Sequence, residues 1–549
     1  MLTPNYDHEI PEMTVEVAKA AFPKGNLVMR IREELGPLFE DQEFAKLYPQ
    51  IGQPSVSPAC LALVTLLQFM ENLTDREAAD AVRGRIDWKY ALGLELNDAG
   101  FNYSVLSEFR QRLLEHETET YLLEKILAIC EKAGLLTGKK QQRTDSTYVL
   151  GKVRDLNRLE LVGETMRRAL DEIARIAPEW LKPHIQAEWG KRYGQKMNTY
   201  RIWKQENKKL ELAQTIGRDG QSLLSAIYQT ATPVAIKQLA SVAVLRRVWV
   251  QQYYQLDNEI TWRIKKQQGL PPASKMVVSP DDLDVRSGRK QTKSWLGYKV
   301  HYTETCAEDA PRLITDVQTT VATIPDGVMT EKIQDDLSEK GSTPETHLVD
   351  AGYVDAVGLE TSQQKGIDLL GPPLPNPSWQ AKIEGGYDAS QFTIDWDEMV
   401  ATCPQGKRTV YWKEETRPSG KTSIHFAFSD TACLACQARD RCTRAQKKGR
   451  QLRVPPQAAH QALQQARDRQ ETDAFWQLYR RRAGVEGTID NAMNAKGARR
   501  ARYTGLARTH FQQLMTATAI NTERATRWLL GERPKATYVS SFAALVSSF

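Results

Sequence analysis

The sequence predicts a multi-domain α/β protein, and three observations carry that prediction. Two runs rich in Val, Thr and Tyr, SWLGYKVHYTET (294–305) and LITDVQTTVAT (313–323), are separated by a polar turn containing Pro311 and read as a hairpin. Farther on, strand and helix alternate: THLVDAGY, a helix from Asp355 to Gln364, then the apolar IDLLG closed by Pro372 and Pro373, which asks for a parallel component in the sheet. The length of 549 residues is more than one compact core holds, at about 100 to 200 residues per domain.

Taken in order, residues 1–135 read as an N-terminal helical DNA-binding domain. Leu63, Leu66, Leu67 and Met70 recur at helical spacing, and Thr74 followed by Glu77 is a capping pair ahead of the next helix. Ser104 can cap a helix carrying Phe109, Arg110 and Arg112, which resembles the second helix of a helix-turn-helix and reads equally as part of a plain bundle. Residues 136–372 form the first part of the core, opening with the strand QQRTDSTYVL (141–150) and interrupted by a helical insertion over 155–268, whose clearest amphipathic stretch is LNRLELVGETMRRALDEIARI. A helix is expected at 328–339. Residues 373–456 change character, with Pro, Gly, aromatics and clustered cysteines, and form a second insertion. Helical sequence resumes over 457–531, the last part of the core, and 532–549 is a tail without an identified partner.

Composition excludes several classes. With 41% hydrophobic and 26% charged residues the chain is globular rather than disordered. Its longest apolar stretch, Ala59 to Met70, is too short for the ~20 residues of a membrane crossing, and the N-terminus lacks the basic and apolar regions of a signal peptide, so a cytoplasmic protein is expected. No G-x4-G-K-[ST] loop is present, which argues against an ATPase or helicase. The His-x-His pair of single-strand transposases and the His-x-x-Arg plus tyrosine of tyrosine recombinases are missing too. A net charge of +6 announces nothing by itself, but residues 439–453 hold seven basic side chains against one acidic and residues 479–510 eight against two. The last quarter is where a polyanion would bind.

Three acids stand out against this pattern. Asp145 lies in the first strand, Asp350 directly follows an apolar strand where a sheet opens on a crevice, and Glu486 lies on a late helix with Tyr479 and Arg482 spaced to share its face. A hairpin of three strands followed by two α-connected parallel strands, with acids at these places, is the arrangement of an RNase H-like core. Three carboxylates from separate elements suit a pair of Mg²⁺ or Mn²⁺ ions about 3.5–4 Å apart, one activating the attacking oxygen and one steadying the leaving oxygen of a phosphodiester. Taken singly, Asp145 reads as well as a surface acid, and the late trio as an exposed ion pair.

Seven cysteines are no disulfide framework in so long a chain. Cys403, Cys433, Cys436 and Cys442 fall within forty residues and give four thiolates with one chelating pair, the count of a closed, structural Zn²⁺ site; incidental reduced thiols are the alternative, and His425 is a spare ligand. The expected fold is therefore α/β, an RNase H-like mixed sheet core with an N-terminal helical domain, a helical insertion and a small zinc-bearing insertion. Trp295, Tyr298, Lys299 and His301 on the second core strand read as sheet packing rather than a base-stacking surface.

Several motifs occur in one order: FPKGNLV, LTDREAADAV, SEFRQRL, TDSTYVL-x-x-VRDLNRLELV, SWLGYKVHYTET, DAGY and RAGVEGTIDNAM-x-x-K-x-x-RRARYTGL, with Tyr479-x2-Arg482-x3-Glu486 between them. From about residue 25 to 531 they resemble bacterial insertion-sequence DDE transposases, most closely the insertion-sequence 1182 family. The resemblance implies DNA transposition: cleavage at the element's ends and transfer of 3′-hydroxyls to a target, with Asp145, Asp350 and Glu486 as catalytic metal ligands. It further implies double-stranded DNA, terminal repeats and target, as partner, a homodimer that handles two ends, and association with the bacterial nucleoid. Tyr479 and Arg482 would position the scissile strand, with Lys496, Arg499, Arg500 and Arg502 on backbone phosphates. Where the wider group often has a Lys seven residues after the Glu, this chain has Met493. A metal-dependent nuclease without strand transfer, or a DNA-binding protein with an inactive core, are the competing readings.

Overall fold

A computed structural model describes residues 2, 9–49, 51–199, 205–257, 259–264, 269–290, 292–417 and 420–533. Most of the expected tail lies outside the described residues.

The chain is mixed α/β, built around one six-stranded sheet. Its strands are β1 (Gln141–Leu150), β2 (Arg286–Lys290), β3 (Lys293–Thr305), β4 (Ile314–Val321), β5 (Thr346–Leu348) and β6 (Asp368–Leu370). The long β3 runs antiparallel to β1, with Asp145 opposite Tyr302, and on its other edge it pairs antiparallel with both β2 and β4. β5 and β6 continue the sheet beyond β1 in parallel. Five of these strands follow from the sequence. β2 does not, because RSGRK has neither alternation nor apolar residues; it forms because Gly288 leaves room for the Trp295 ring of β3 to lie on its backbone.

One apolar cluster joins the sheet to both ends of the chain. Tyr298, Val300, Tyr302 and Val317 share it with the helix Pro58–Met70 and with the last helix, Leu506–Leu529. All thirteen residues of Pro58–Met70 are buried, and its start is set by Ser57, whose side chain accepts from Cys60 N–H, with Pro58 at the first position. A helix apolar on every side belongs in the middle of a core.

Asp75–Gly84 and Ser104–Glu115 are not joined as a helix-turn-helix pair. Between Asp75–Gly84 and Ser104–Glu115 stands another helix, Ile86–Leu92, where that motif has a turn of about 3–4 residues. Arg110 is buried and binds Asp75 through two bonds of 2.9 and 2.6 Å, and Arg112 lies over the Tyr48 ring, so the bundle reading holds.

The first insertion has its own core on the helices Arg158–Ile176, Glu206–Ile227 and Ala240–Gln252. It ends in a hairpin, Tyr253–Leu256 with Glu259–Trp262, that the helical reading lacks. The second insertion is β-rich: Thr409–Thr416, Thr422–Phe428 and Gln451–Val454 form a three-stranded sheet over Phe392, Phe426 and Phe428. Among the described residues no helix is long and apolar enough to cross a membrane.

Candidate active site

Asp145 sits mid-way along β1 with its side chain only 11% exposed. Its two oxygens accept from Ser146 N–H at 2.7 Å and from the Arg482 guanidinium at 2.7 Å. The same guanidinium reaches Glu486 Oε1 at 3.2 Å, while Glu486 itself is 66% exposed. One cation thus bridges a buried and an open carboxylate that are 341 positions apart in the chain. The late segment is not one regular helix: Asp473–Tyr479 tightens to a 3₁₀ turn over Arg480–Ala483 before Gly484–Asp490 resumes. Arg482 and Glu486 still meet, whereas Tyr479 stacks on Phe475 with ring centroids 5.6 Å apart.

Asp350 follows β5 in a tight turn in which its Oδ1 accepts from Gly352 N–H at 2.8 Å. The turn is pinned from behind by Tyr353, fully buried, whose hydroxyl meets His301 Nδ1 at 2.6 Å and whose carbonyl accepts from Thr330 at 2.8 Å. Asp350 is near enough to act on Asp145. Burial is the main cause that pushes the Asp145 carboxyl up to about 6, Asp350 adds to it, and Arg482 and the Ser146 N–H act in the opposite direction. For Arg482, burial opposes the charge, but Asp145, Tyr479, Asp350 and the bond to Glu486 outweigh it and raise its pKa. Among the described residues, no group of three or more His, Cys, Asp and Glu side chains is drawn together at metal-holding spacing. The three acids share the neighbourhood of Arg482 without closing on a common point.

Behind Asp145 the helix that carries Glu486 is fixed by a buried network. Glu304 on β3 is wholly buried and accepts from Arg143 Nε at 2.8 Å and Nη2 at 2.6 Å, from Thr488 at 2.6 Å and from Arg524 at 2.9 Å. Arg143 and Asp145 lie two apart on β1 and face the same way. Gly484 lets the helix come down on Arg143, since a Cβ there would stand 2.2 Å from its Nη1. On the opposite face, Asp326 takes Ser146 Oγ at 3.1 Å and Lys299 Nζ at 2.8 Å. Nothing in the sequence around Glu304, Arg143, Asp326 and Lys299 marks them for these roles; the sheet register sets Arg143 opposite Glu304, and the start of the helix Asp326–Glu339 brings Asp326 to Ser146 and Lys299.

The basic residues separate into two groups. Arg499 donates to Thr147 Oγ1 at 2.8 Å and covers the Tyr148 ring, and Arg500 is exposed. Lys496 is buried, bound to Met70 O at 2.8 Å and Glu523 at 2.7 Å. Arg502 donates to Leu73 O at 2.6 Å and lies over the Phe69 ring. These last two hold the N-terminal helices to the C-terminal segment, in place of the phosphate contacts expected of them.

Cys403, Cys433 and Cys442 pack against the aromatic core of the second insertion. Burial raises the Cys442 thiol, Arg450 lowers it, and Cys433, Cys403 and Cys436 each add a smaller upward push, so the four are neighbours. Backbone N–H groups of Lys407 and Arg450 point at Cys403 Sγ and Cys433 Sγ at 3.3 and 3.5 Å. His425 is turned away to Glu415, at 3.3 Å.

Comparison with known families finds two matches. A model described as "Transposase DDE domain" matches residues 402–526, from the cysteine-rich insertion through Glu486 to the last helix, without reaching Asp145 or Asp350. A model described as "Transposase domain (DUF772)" matches residues 16–112, the N-terminal helices. No curated protein and no solved structure matches. Two separate transposase models on one chain, one of them spanning the helix that bears Glu486, support a DDE-type transposase.

Proposed function

We propose that the protein is a DDE transposase that cuts DNA at the ends of an insertion sequence and joins the freed 3′-hydroxyls to target DNA, with Asp145, Asp350 and Glu486 as catalytic and metal-holding residues. The observation that carries this reading is the Arg482 guanidinium shared by Asp145 and Glu486, with Asp350 close enough to raise the Asp145 carboxyl. The strand order β4–β3–β1–β5–β6, antiparallel on one side of β1 and parallel on the other, supports an RNase H-like assignment of the core.

The donor set fits Mg²⁺ or Mn²⁺, since carboxylate oxygens suit hard cations and two acids that repel each other in a poorly solvated place are relieved by a divalent ion. Bound there, a pair of such ions would activate the attacking oxygen and neutralise charge on the leaving oxygen. The chain's own residues do the rest. Arg482 is the cation at the site and can turn from carboxylate to phosphate, a planar fork suited to both. Tyr479, stacked on Phe475, would give the strand a rigid edge, and the exposed Arg500 and half-exposed Arg499 would take the backbone that continues beyond it. Glu304 and its partners keep the Glu486 helix in register with Asp145.

The four cysteines, neighbours but not drawn to ligand spacing, with backbone N–H groups on Cys403 and Cys433, would hold a structural Zn²⁺ as thiolates once they close on it and so brace the insertion. A homodimer is part of the proposal, because two ends must be handled together.

The test is incubation of the full chain with terminal-repeat DNA of its element in Mg²⁺ or Mn²⁺, comparing wild type with Asp145→Ala, Asp350→Ala and Glu486→Ala. Each substitution is expected to abolish nicking and strand transfer, while DNA binding without metal persists. Undiminished cutting by all three variants overturns the reading, and cutting without joined product by wild type reduces it to a nuclease.

A further inference from the structure

The hairpin that the sequence does not foretell carries a charge pattern of its own. β2 and the first residues of β3 pair with Lys290 opposite Lys293 and Arg289 opposite Ser294, and Arg289, Lys290 and Lys293 are all exposed. This basic tip extends past the end of β1, where Leu150 faces Gly297. On the other side of the same strand end, residues 499–501 are stitched to β1 by backbone: Leu150 N–H donates to Arg499 O and Ala501 N–H to Leu150 O, both at 2.8 Å. Two basic segments from distant parts of the chain therefore flank one strand end.

Tyr148 joins them. Its ring has Arg499 4.0 Å from the centroid and Lys293 Nζ at 4.3 Å, its hydroxyl accepts from Lys293, and the Trp295 ring backs it at 5.4 Å. Two cations held on one aromatic ring are kept close together despite their repulsion. No acidic side chain is paired with Lys290, Lys293 or Arg500 among the described contacts. Tyr148 stands three residues beyond Asp145, about 10 Å along the strand and on its other face, and Lys290 is close enough to lower the Asp145 pKa slightly. A concentration of unneutralised cations around the end of the strand that carries a buried acid complements a polyanion passing over that end.

We propose that Lys290 and Lys293 of the β2–β3 hairpin, together with Arg500, form a phosphate-binding strip that holds double-stranded DNA beside the scissile bond. This rests on the transposase reading and adds to it, in Lys290 and Lys293, a hairpin outside the segments matched by the family models. The contacts are to backbone, so they hold the duplex without reading its sequence.

The strip is tested by fluorescence anisotropy with a terminal-repeat duplex in EDTA, over a series of salt concentrations. Lys290→Gln with Lys293→Gln is expected to reduce the slope of log K against log salt by about 1.8, at about 0.9 per lost phosphate contact, with weaker binding at every salt concentration. Lys290→Arg with Lys293→Arg should restore both. Lys191→Gln with Lys208→Gln, exposed lysines of the helical insertion, is expected to leave both unchanged. An unaltered slope and affinity in the glutamine variant overturns the proposal, as does a loss that the arginine variant does not restore. If wild type cuts DNA while the glutamine variant binds as wild type does, the strip fails and the transposase reading stands. If wild type binds in the expected way but never cuts, the strip stands and that reading fails.

Discussion

Two acids lie side by side in the fold, Asp145 on β1 and Glu304 on β3, and they are treated in opposite ways. Glu304 is fully buried and accepts four hydrogen bonds, from Arg143, Thr488 and Arg524, so its charge is met entirely within the protein. Asp145 is nearly as buried but accepts one backbone N–H and one bond from Arg482, which it shares with Glu486, and it faces a further acid in Asp350. The first arrangement serves architecture. The second leaves negative charge in excess of its cations, at the mouth of the sheet, which is the condition for recruiting a cation from outside.

If that contrast is right, removing a partner from the Glu304 network should be the most damaging change to stability. Arg143→Ala leaves a wholly buried carboxylate with half of its donors gone, and about 3–5 kcal/mol of destabilisation is expected in denaturant unfolding. A loss under about 1 kcal/mol would mean that the network is not what seats the Glu486 helix. Cleavage should fall with it, since Arg143 is also what Gly484 packs upon.

Asp145 should behave inversely. Its folded pKa, pushed up to about 6, lies above the ordinary 3.8, so between those values the unfolded chain has released a proton that the folded chain keeps. Stability therefore falls as pH rises through that window and is flat above it, and at pH 8 the ionised group costs about 3 kcal/mol, at about 1.4 per unit. Asp145→Asn is expected to stabilise the metal-free protein at pH 8 by up to that amount and to flatten this part of the curve, while ending catalysis. In wild type, Mn²⁺ affinity measured by calorimetry should rise as pH passes about 6, because binding requires loss of that proton. A variant that is destabilised at pH 8 would place Asp145 with Glu304 among the structural acids.

The same contrast marks what sequence could tell. β1 is legible because TDSTYVL is dense in β-branched residues, and the strand runs over 141–150 as its composition suggests. Asp145, Asp350 and Glu486 are legible as acids in telling places. The partners that distinguish a structural acid from a chemical one are not, since Arg143 meets Glu304 across 161 positions and Thr488 meets it across 184. β2 escapes notice because its reason to exist is a glycine beneath a tryptophan on the next strand. Basic residues are the hardest to judge, for a Lys or Arg looks alike in sequence whether it faces solvent or core.

That last ambiguity sets the smallest but most discriminating prediction. Arg500 is exposed, whereas Lys496, four residues earlier, is buried with its ammonium on Met70 O and Glu523. Arg500→Gln should leave the unfolding midpoint unchanged and lower the salt slope of DNA binding by about 0.9, one phosphate's share. Lys496→Gln should do the reverse, because it leaves a half-buried Glu523 with only the longer pair to Arg527 at 3.9 Å while removing nothing that DNA could touch; about 1–3 kcal/mol of stability and no change in slope are expected. Should Lys496→Gln instead lower the slope at constant stability, the segment must rearrange on DNA so that the N-terminal helices release the lysine, and the contact between Met70 and Lys496 would be a latch rather than a fixture.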